Sequence, residues 1–212
     1  MQEKFDQFRE IYIDYLNRIK ELDLEDKAKL LGAEMQDSEL LVPFLGKKYR
    51  ISGSGVLDMQ GNRPLHAVIV TLCQYLLLSP DKPVQDSGEW FSFRDFPNAA
   101  PFAGAFVTNV EENIAKNFAG RLDSLHKASE KLPGYLPATG LSYDFIRVFS
   151  ALPRVEAMLL FNDMDEEFPA ESKVLFPRVA EKYLDMECLA MIGWLLADYL
   201  SIYAGWGEIT IM

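Results

Sequence analysis

Apolar residues recur at spacings of three and four near the start of the chain, where Phe5, Phe8, Tyr12, Tyr15, Leu16 and Ile19 mark one face of an amphipathic helix. Such a stripe has to be covered by another surface. Asp23 then offers the short acceptor side chain of an N-cap before LEDKAKLL, and Gly32 supplies the left-handed residue that ends a helix. Between Leu40 and Leu57 the pattern shifts to β-branched and aromatic residues broken by Gly46, Gly53 and Gly55, which predicts two or three short strands. The SGSG piece reads as a hairpin turn. A phosphate cradle would need a helix opening behind it, and strand-like residues follow instead.

After the QGN turn, Asn62 is placed to cap a helix with Pro64 in its first turn, and Leu65, Val68, Ile69, Leu72 and Leu76 share one face of it. Pro80 and Pro83 end that helix. GEWFSFRDFP crowds Trp90, Phe91, Phe93 and Phe96 around Arg94 and Asp95, as a short strand or partly buried loop would. Residues 98–131 read as two polar helices divided near Gly120. The strongest sheet signal follows, with strands over residues 143–149 and 155–161 joined at Pro153 and a further apolar piece at SKVLF. A core helix runs from about Asp185 to Tyr203, with Leu189, Ile192, Leu196 and Tyr199 inward and Glu187 and Asp198 at its margins. Strands and helices are interspersed without βαβ alternation, which predicts an α+β fold: a single domain with a mostly antiparallel sheet packed by helices. Residues 1–22 form its N-terminal helix, 23–204 its core and 205–212 a tail.

A chain of 212 residues, 49% hydrophobic and 12% aromatic, has enough material for one substantial core. The net charge of -11 repels phosphate backbones and anionic lipid, and lysines and arginines are scattered rather than clustered, so neither nucleic acid nor membrane is expected as a partner. Cys73 and Cys188 are the only cysteines and sit in apolar helical runs, where a thiol behaves as a small hydrophobe. With His66 and His126 they give no zinc or iron–sulfur ligand spacing. No metal and no cofactor are expected. The N-terminus lacks the apolar stretch of a secretory signal, and the chain is read as cytoplasmic.

The combination FLGKKYRIS, GEWFSFRDFP, LPRVEAMLLF, DEEFPAESKVLF and YLDMECLAMIG resembles a bacterial and archaeal family catalogued only as a domain of unknown function. The likeness spans about Leu24 to Leu200, and the pairing of FSFRDFP with DEEFPA…LF is its most specific part. It implies no established activity. Some relatives carry an added N-terminal cysteine-rich segment resembling the iron–sulfur module of corrinoid proteins, which implies anaerobic one-carbon or redox metabolism. Here an aromatic amphipathic helix stands in that place, so a cluster of its own is not expected.

Candidate chemistry is sparse. Asp163, Asp165, Glu166 and Glu167 follow an apolar run and offer oxygen ligands for a hard cation or, if buried, a raised carboxyl for proton transfer. Their spacing is not that of an EF-hand, and a solvated loop with Phe168 packed inward and Asp163 and Asp165 facing water is the simpler reading. Arg94, Arg147 and Arg154 lie among aromatic residues, where a guanidinium stacks on a ring and pairs with an acid such as those of DEEF, or clamps an anionic ligand. Trp90, Arg94 and Arg154 are the ligand-binding candidates. Ser92, Ser142 and Ser150 have no nucleophile-elbow context and neither histidine is identifiable as their base.

These observations predict a non-catalytic cytoplasmic binding or accessory protein of bacterial or archaeal metabolism, acting on a small ligand or a protein partner. The alternative is an enzyme using an acidic-loop residue with Arg94 or Arg154 in a pocket. In the tail, Ile209 and Ile211 alternate about Thr210 as in a strand. Such a tail needs cover from the domain's own sheet or from the same surface on a second copy, and the aromatic face of the first helix favours the second, a homodimer.

Overall fold

The structure is a computed structural model and describes residues 2–207. Helix α1 (Gln2–Lys20) leads into α2 (Leu24–Leu31), whose ends follow the local chemistry. The Asp23 carboxylate accepts the N–H groups of Glu25 and Asp26 at 3.0 and 3.1 Å, and Gly32 takes φ 69° to stop the helix. Four antiparallel strands then form a meander in sequence order: β1 (Glu34–Gln36), β2 (Glu39–Phe44), β3 (Lys47–Ser52) and β4 (Gly55–Asp58). β1 is one strand more than the glycine-punctuated pattern predicts, and it is exposed throughout, so no alternation marks it. SGSG is the β3–β4 turn.

Helix α3 (His66–Leu77) starts later than expected because Asn62 is used elsewhere. The Asn62 N–H donates to Asp58 Oδ1 at 2.8 Å and its amide to Oδ2 at 3.2 Å, closing the turn after β4, and no side chain caps the helix. α3 is central, with Val68, Ile69, Leu72, Cys73 and Leu76 all buried. Tyr12, Tyr15 and Ile19 of α1 pack on the core. Their polar tips are satisfied there: Tyr12 Oη accepts the Val56 N–H at 3.0 Å and Tyr15 Oη accepts the Gln74 amide at 3.1 Å. Tyr12, Tyr15 and Ile19 of the α1 stripe are thus covered within the chain, and the side chains of Phe5 and Phe8 lie outside the described residues.

A second, five-stranded antiparallel sheet has the order β5-β9-β8-β7-β6, from β5 (Trp90–Ser92), β6 (Gly134–Tyr135), β7 (Phe145–Leu152), β8 (Val155–Asn162) and β9 (Glu171–Pro177). One face, with Phe145, Phe149, Leu159, Phe161, Val174 and Phe176, joins the main core. The other carries a smaller cluster of Val148, Met158 and Leu160, against which Trp90, Ile146 and Leu175 pack. The two sheets are tied where the Leu45 N–H donates to Ala151 O at 2.9 Å.

Between the strands, α4 (Ala100–Phe106), a π-helical turn (Val107–Glu111) and α5 (Glu112–Phe118) run on as one element, and Gly120 at φ 68° separates it from α6 (Leu122–Ser129). Helix α7 (Met186–Tyr203) is capped by the Asp185 carboxylate on the Cys188 N–H at 2.8 Å. It is long and apolar enough to cross a membrane, yet most of it is buried in the protein. The inward stripe is as expected, but Asp198 is not marginal: at 4% exposure it is inside. Gly193 lets α7 approach α4, since a Cβ there would meet the Phe106 ring at 2.5 Å. Cys73 and Cys188 are buried free thiols, and burial pushes Cys73 up to about 12. The strand pattern at Ile209 and Ile211 lies outside the described residues.

Candidate functional site

The acidic loop spends its acids on its own backbone. Asp163 Oδ1 accepts the N–H groups of Gly120 at 2.6 Å and Met164 at 2.8 Å, which pins the loop to the α5–α6 junction. Asp165 Oδ1 accepts from Glu167 at 2.8 Å and Phe168 at 2.7 Å, while the Asp165 N–H returns to Phe168 O at 3.0 Å. Those backbone donors hold the Asp165 carboxyl below its usual range. The closed turn aims Phe168 outward, where it is 66% exposed, contrary to the expected inward packing. Glu166 and Glu167 are exposed. Among the described residues no three histidine, cysteine, aspartate or glutamate side chains converge as metal ligands.

None of the three arginines pairs with this loop. Arg154 lies in the turn before β8 and Asp163 follows its far end, so an eight-residue strand of about 25 Å separates them. Arg154 instead donates from Nε to Leu30 O at 3.1 Å, and its backbone N–H to Tyr75 Oη at 3.1 Å. Arg147 lies 5.9 Å from the Phe149 ring centroid and donates to Gly134 O at 3.5 Å. Trp90 belongs to the outer-face cluster of the five-stranded sheet. Of these three arginines, Arg94 opens onto a cavity.

That cavity forms where β5 leaves the sheet. β5 pairs with Leu175–Pro177 alone, so the preceding edge of β9 would be bare. The π-helical turn covers it: Glu111 Oε1 accepts the Val174 N–H at 3.2 Å, and Ser172 Oγ donates to Glu111 O at 2.7 Å. The same carboxylate, buried with its residue at 5% exposure, holds Lys173 Nζ at 3.2 Å. Across the cavity the chain turns through a single 3-10 turn at Phe93–Asp95, tied by Ser92 Oγ donating to Asp95 Oδ2 at 2.7 Å. Phe93 stacks on Phe106 at 4.2 Å and 6° between planes, giving a flat apolar floor. The cavity is open to solvent and has a volume of about 250 Å³, lined by Ser92, Arg94, Asp95, Glu111 and Lys173 over Phe93 and Phe106. Arg94 has no hydrogen bond or ion pair among the described residues. A π-helical turn inside an α-helix is a costly irregularity that concentrates at functional sites, and here it turns a carboxylate into the core beside that arginine.

Of the two segments most specific to the family likeness, FSFRDFP forms one wall of the cavity, whereas in DEEFPA…LF only the intervening Lys173 lines it and DEEFPA itself does not. A family model described as "Domain of unknown function (DUF3786)" matches residues 23–199. The chain belongs to the DUF3786 family. No curated protein and no solved structure matches it. The DUF3786 match ends within α7 and contains every residue of the cavity. Of the DUF3786 chain's anticipated site residues, Arg94 is therefore at the cavity, Trp90 is nearby on β5, which leads into the Arg94 turn, but on the outer face, and Arg154, Asp163, Asp165, Glu166 and Glu167 are elsewhere.

Glu111 and Lys173 were not legible as a pair, being 62 residues apart. One signal was available for the first. Val107, Val110, Glu111, Ile114 and Phe118 fall on one helical face, and a carboxylate within an apolar stripe is the anomaly worth following.

Proposed function

We propose that this DUF3786 protein is a cytoplasmic binding module that takes a small carboxylate-bearing metabolite in the Arg94 cavity. The observation that carries the reading is the Arg94 guanidinium, without a hydrogen bond or ion pair among the described residues, at the mouth of an otherwise internally satisfied pocket. A planar guanidinium presents a fork that matches a carboxylate with two parallel hydrogen bonds. Lys173 adds a second positive charge, positioned by Glu111, and the Phe93–Phe106 floor accepts a short apolar body. A volume of about 250 Å³ equals that of about eight liquid waters, which limits the ligand to a few carbons. Two buried free thiols suit a reducing compartment.

Native mass spectrometry of freshly purified protein, followed by titration with acetate and succinate while the backbone amide signals of Glu111 and Lys173 in the cavity wall are observed, tests this. A saturable shift that disappears in Arg94→Ala is expected. A shift of equal size in Arg94→Ala overturns the assignment. The π-helical turn favours one second reading, an enzyme in which Glu111 moves a proton to or from the bound molecule. Recovery of chemically altered ligand from wild type, with unaltered ligand from Glu111→Gln, would decide for it.

A further inference from the structure

The charged groups lining the Arg94 cavity are two cations, Arg94 and Lys173, and two carboxylates, Asp95 and Glu111. They are not equivalent. On the β9 side the pair is closed: Glu111 Oε2 holds Lys173 Nζ at 3.2 Å, and Glu111 Oε1 accepts the Val174 N–H at 3.2 Å. Lys173 keeps its positive charge at the cavity, but Glu111 balances it, and neither oxygen of Glu111 needs a ligand.

On the 3-10 turn opposite, the charges are open. Asp95 Oδ2 accepts from Ser92 Oγ at 2.7 Å, and among the described residues that is the only side-chain hydrogen bond of Asp95, so Oδ1 is left over. No ion pair joins Asp95 to Arg94 among those residues. The two are consecutive, with Cα atoms about 3.8 Å apart, so one short turn presents a positive fork and a carboxylate oxygen at the same rim. A simple carboxylate meets Arg94 but also brings a third negative charge to a lining that holds two of each sign. A ligand with both signs on one carbon meets both groups and keeps the balance.

We infer that the ligand of the Arg94 cavity is an α-amino acid with a small apolar side chain, an assignment that rests on the carboxylate reading above and narrows it. The ligand carboxylate takes the Arg94 guanidinium through two parallel hydrogen bonds. Its ammonium donates to Asp95 Oδ1, while the Ser92 hydroxyl occupies Oδ2. Its side chain lies on the stacked Phe93 and Phe106 rings, where Ala103 and Val107 add further apolar surface. Alanine and valine have the few carbons that a volume of about 250 Å³ admits.

Calorimetric titration of the full chain with L-alanine and L-valine, each beside its deaminated counterpart, propionate or 3-methylbutanoate, tests the assignment. At least one amino acid is expected to bind saturably and about tenfold or more tighter than its counterpart, because only the amino acid makes the charge-assisted bond to Asp95. Arg94→Ala should abolish binding of both members of each pair. Asp95→Asn, which keeps an acceptor for Ser92, should weaken the amino acid by about tenfold and leave the deaminated acid bound as tightly or more tightly, since a repelling charge is gone. Equal affinity within the pairs, lost in Arg94→Ala, overturns the amino-acid assignment and leaves the carboxylate reading standing. So does an Asp95→Asn variant that weakens both members alike. Amino-acid binding that survives Arg94→Ala overturns both. Absence of saturable binding by all four compounds overturns the assignment, and if acetate and succinate also fail to bind, the carboxylate reading falls with it.

Discussion

The acidic loop after β8 and the cavity beside β9 both bring carboxylates to one end of the same sheet, and they use them in opposite ways. In the loop, Asp163 and Asp165 accept backbone N–H groups from neighbouring turns, and the charges stay in water. In the cavity, Glu111 is drawn into the core because β5 stops short and leaves the Val174 N–H at an open strand edge. Density of charge along the chain is therefore a poor guide to chemistry here. What matters is which backbone donors the topology strands, since a buried N–H without an acceptor costs more than the net worth of most hydrogen bonds.

The largest expected effect follows from that difference. Glu111→Ala strands the Val174 N–H and releases Lys173, and it should cost about 2–3 kcal/mol, mostly from the unsatisfied donor because Lys173 is 45% exposed and its ion pair is screened. Glu111→Gln keeps an acceptor and should cost less than half of that. Replacing Glu166 and Glu167 together with glutamine should leave the urea midpoint unchanged. If the loop variant proved as damaging as Glu111→Ala, the contrast between the two regions would collapse.

Next in size is Gly193→Ala. The added methyl runs into Phe106 and Val110, and overpacking of this kind costs about 1–3 kcal/mol. Because Phe106 is also the cavity floor, the variant should lose ligand affinity along with stability, whereas a stabilised background carrying the same change should recover folding but not binding. Arg94→Ala is the inverse case. It touches no partner among the described residues, so its stability should stay within about 0.5 kcal/mol of wild type while carboxylate binding is lost.

How much of this was readable in the sequence depends on how local the deciding interaction is. The ends of α2 were legible because Asp23 and Gly32 act within a few residues of themselves. Strands β7 and β8 were legible from their apolar density and Pro153. Asn62 was misplaced because Asp58, four residues earlier, outcompetes the helix for it. Phe168 was misplaced because its direction is set by the Asp165 turn, not by its hydrophobicity. Arg94 was found for its aromatic surroundings, but its neighbours Glu111 and Lys173 are brought to it by sheet order, which no spacing in the chain encodes.

The smallest expected effect probes the loop itself. Backbone donors from Glu167 and Phe168 hold the Asp165 carboxyl below its ordinary value of 3.8, so the folded protein prefers its ionised form more than the unfolded chain does. A depressed carboxylate contributes stability that is fully present above the ordinary value and disappears as the pH falls through the lowered one. In Asp165→Asn the amide oxygen can still accept both N–H groups, but nothing there titrates. The variant should melt slightly lower than wild type at neutral pH and the gap should narrow on acidification below about pH 4, with added salt changing it little because the partners are hydrogen-bond donors at contact rather than distant charges. Calorimetric melts from pH 6 down to pH 3 would show it. A gap that stays constant over that range would mean that the two hydrogen bonds do not depend on the charge of Asp165, and the loop would then be held mainly by Asp163 at Gly120.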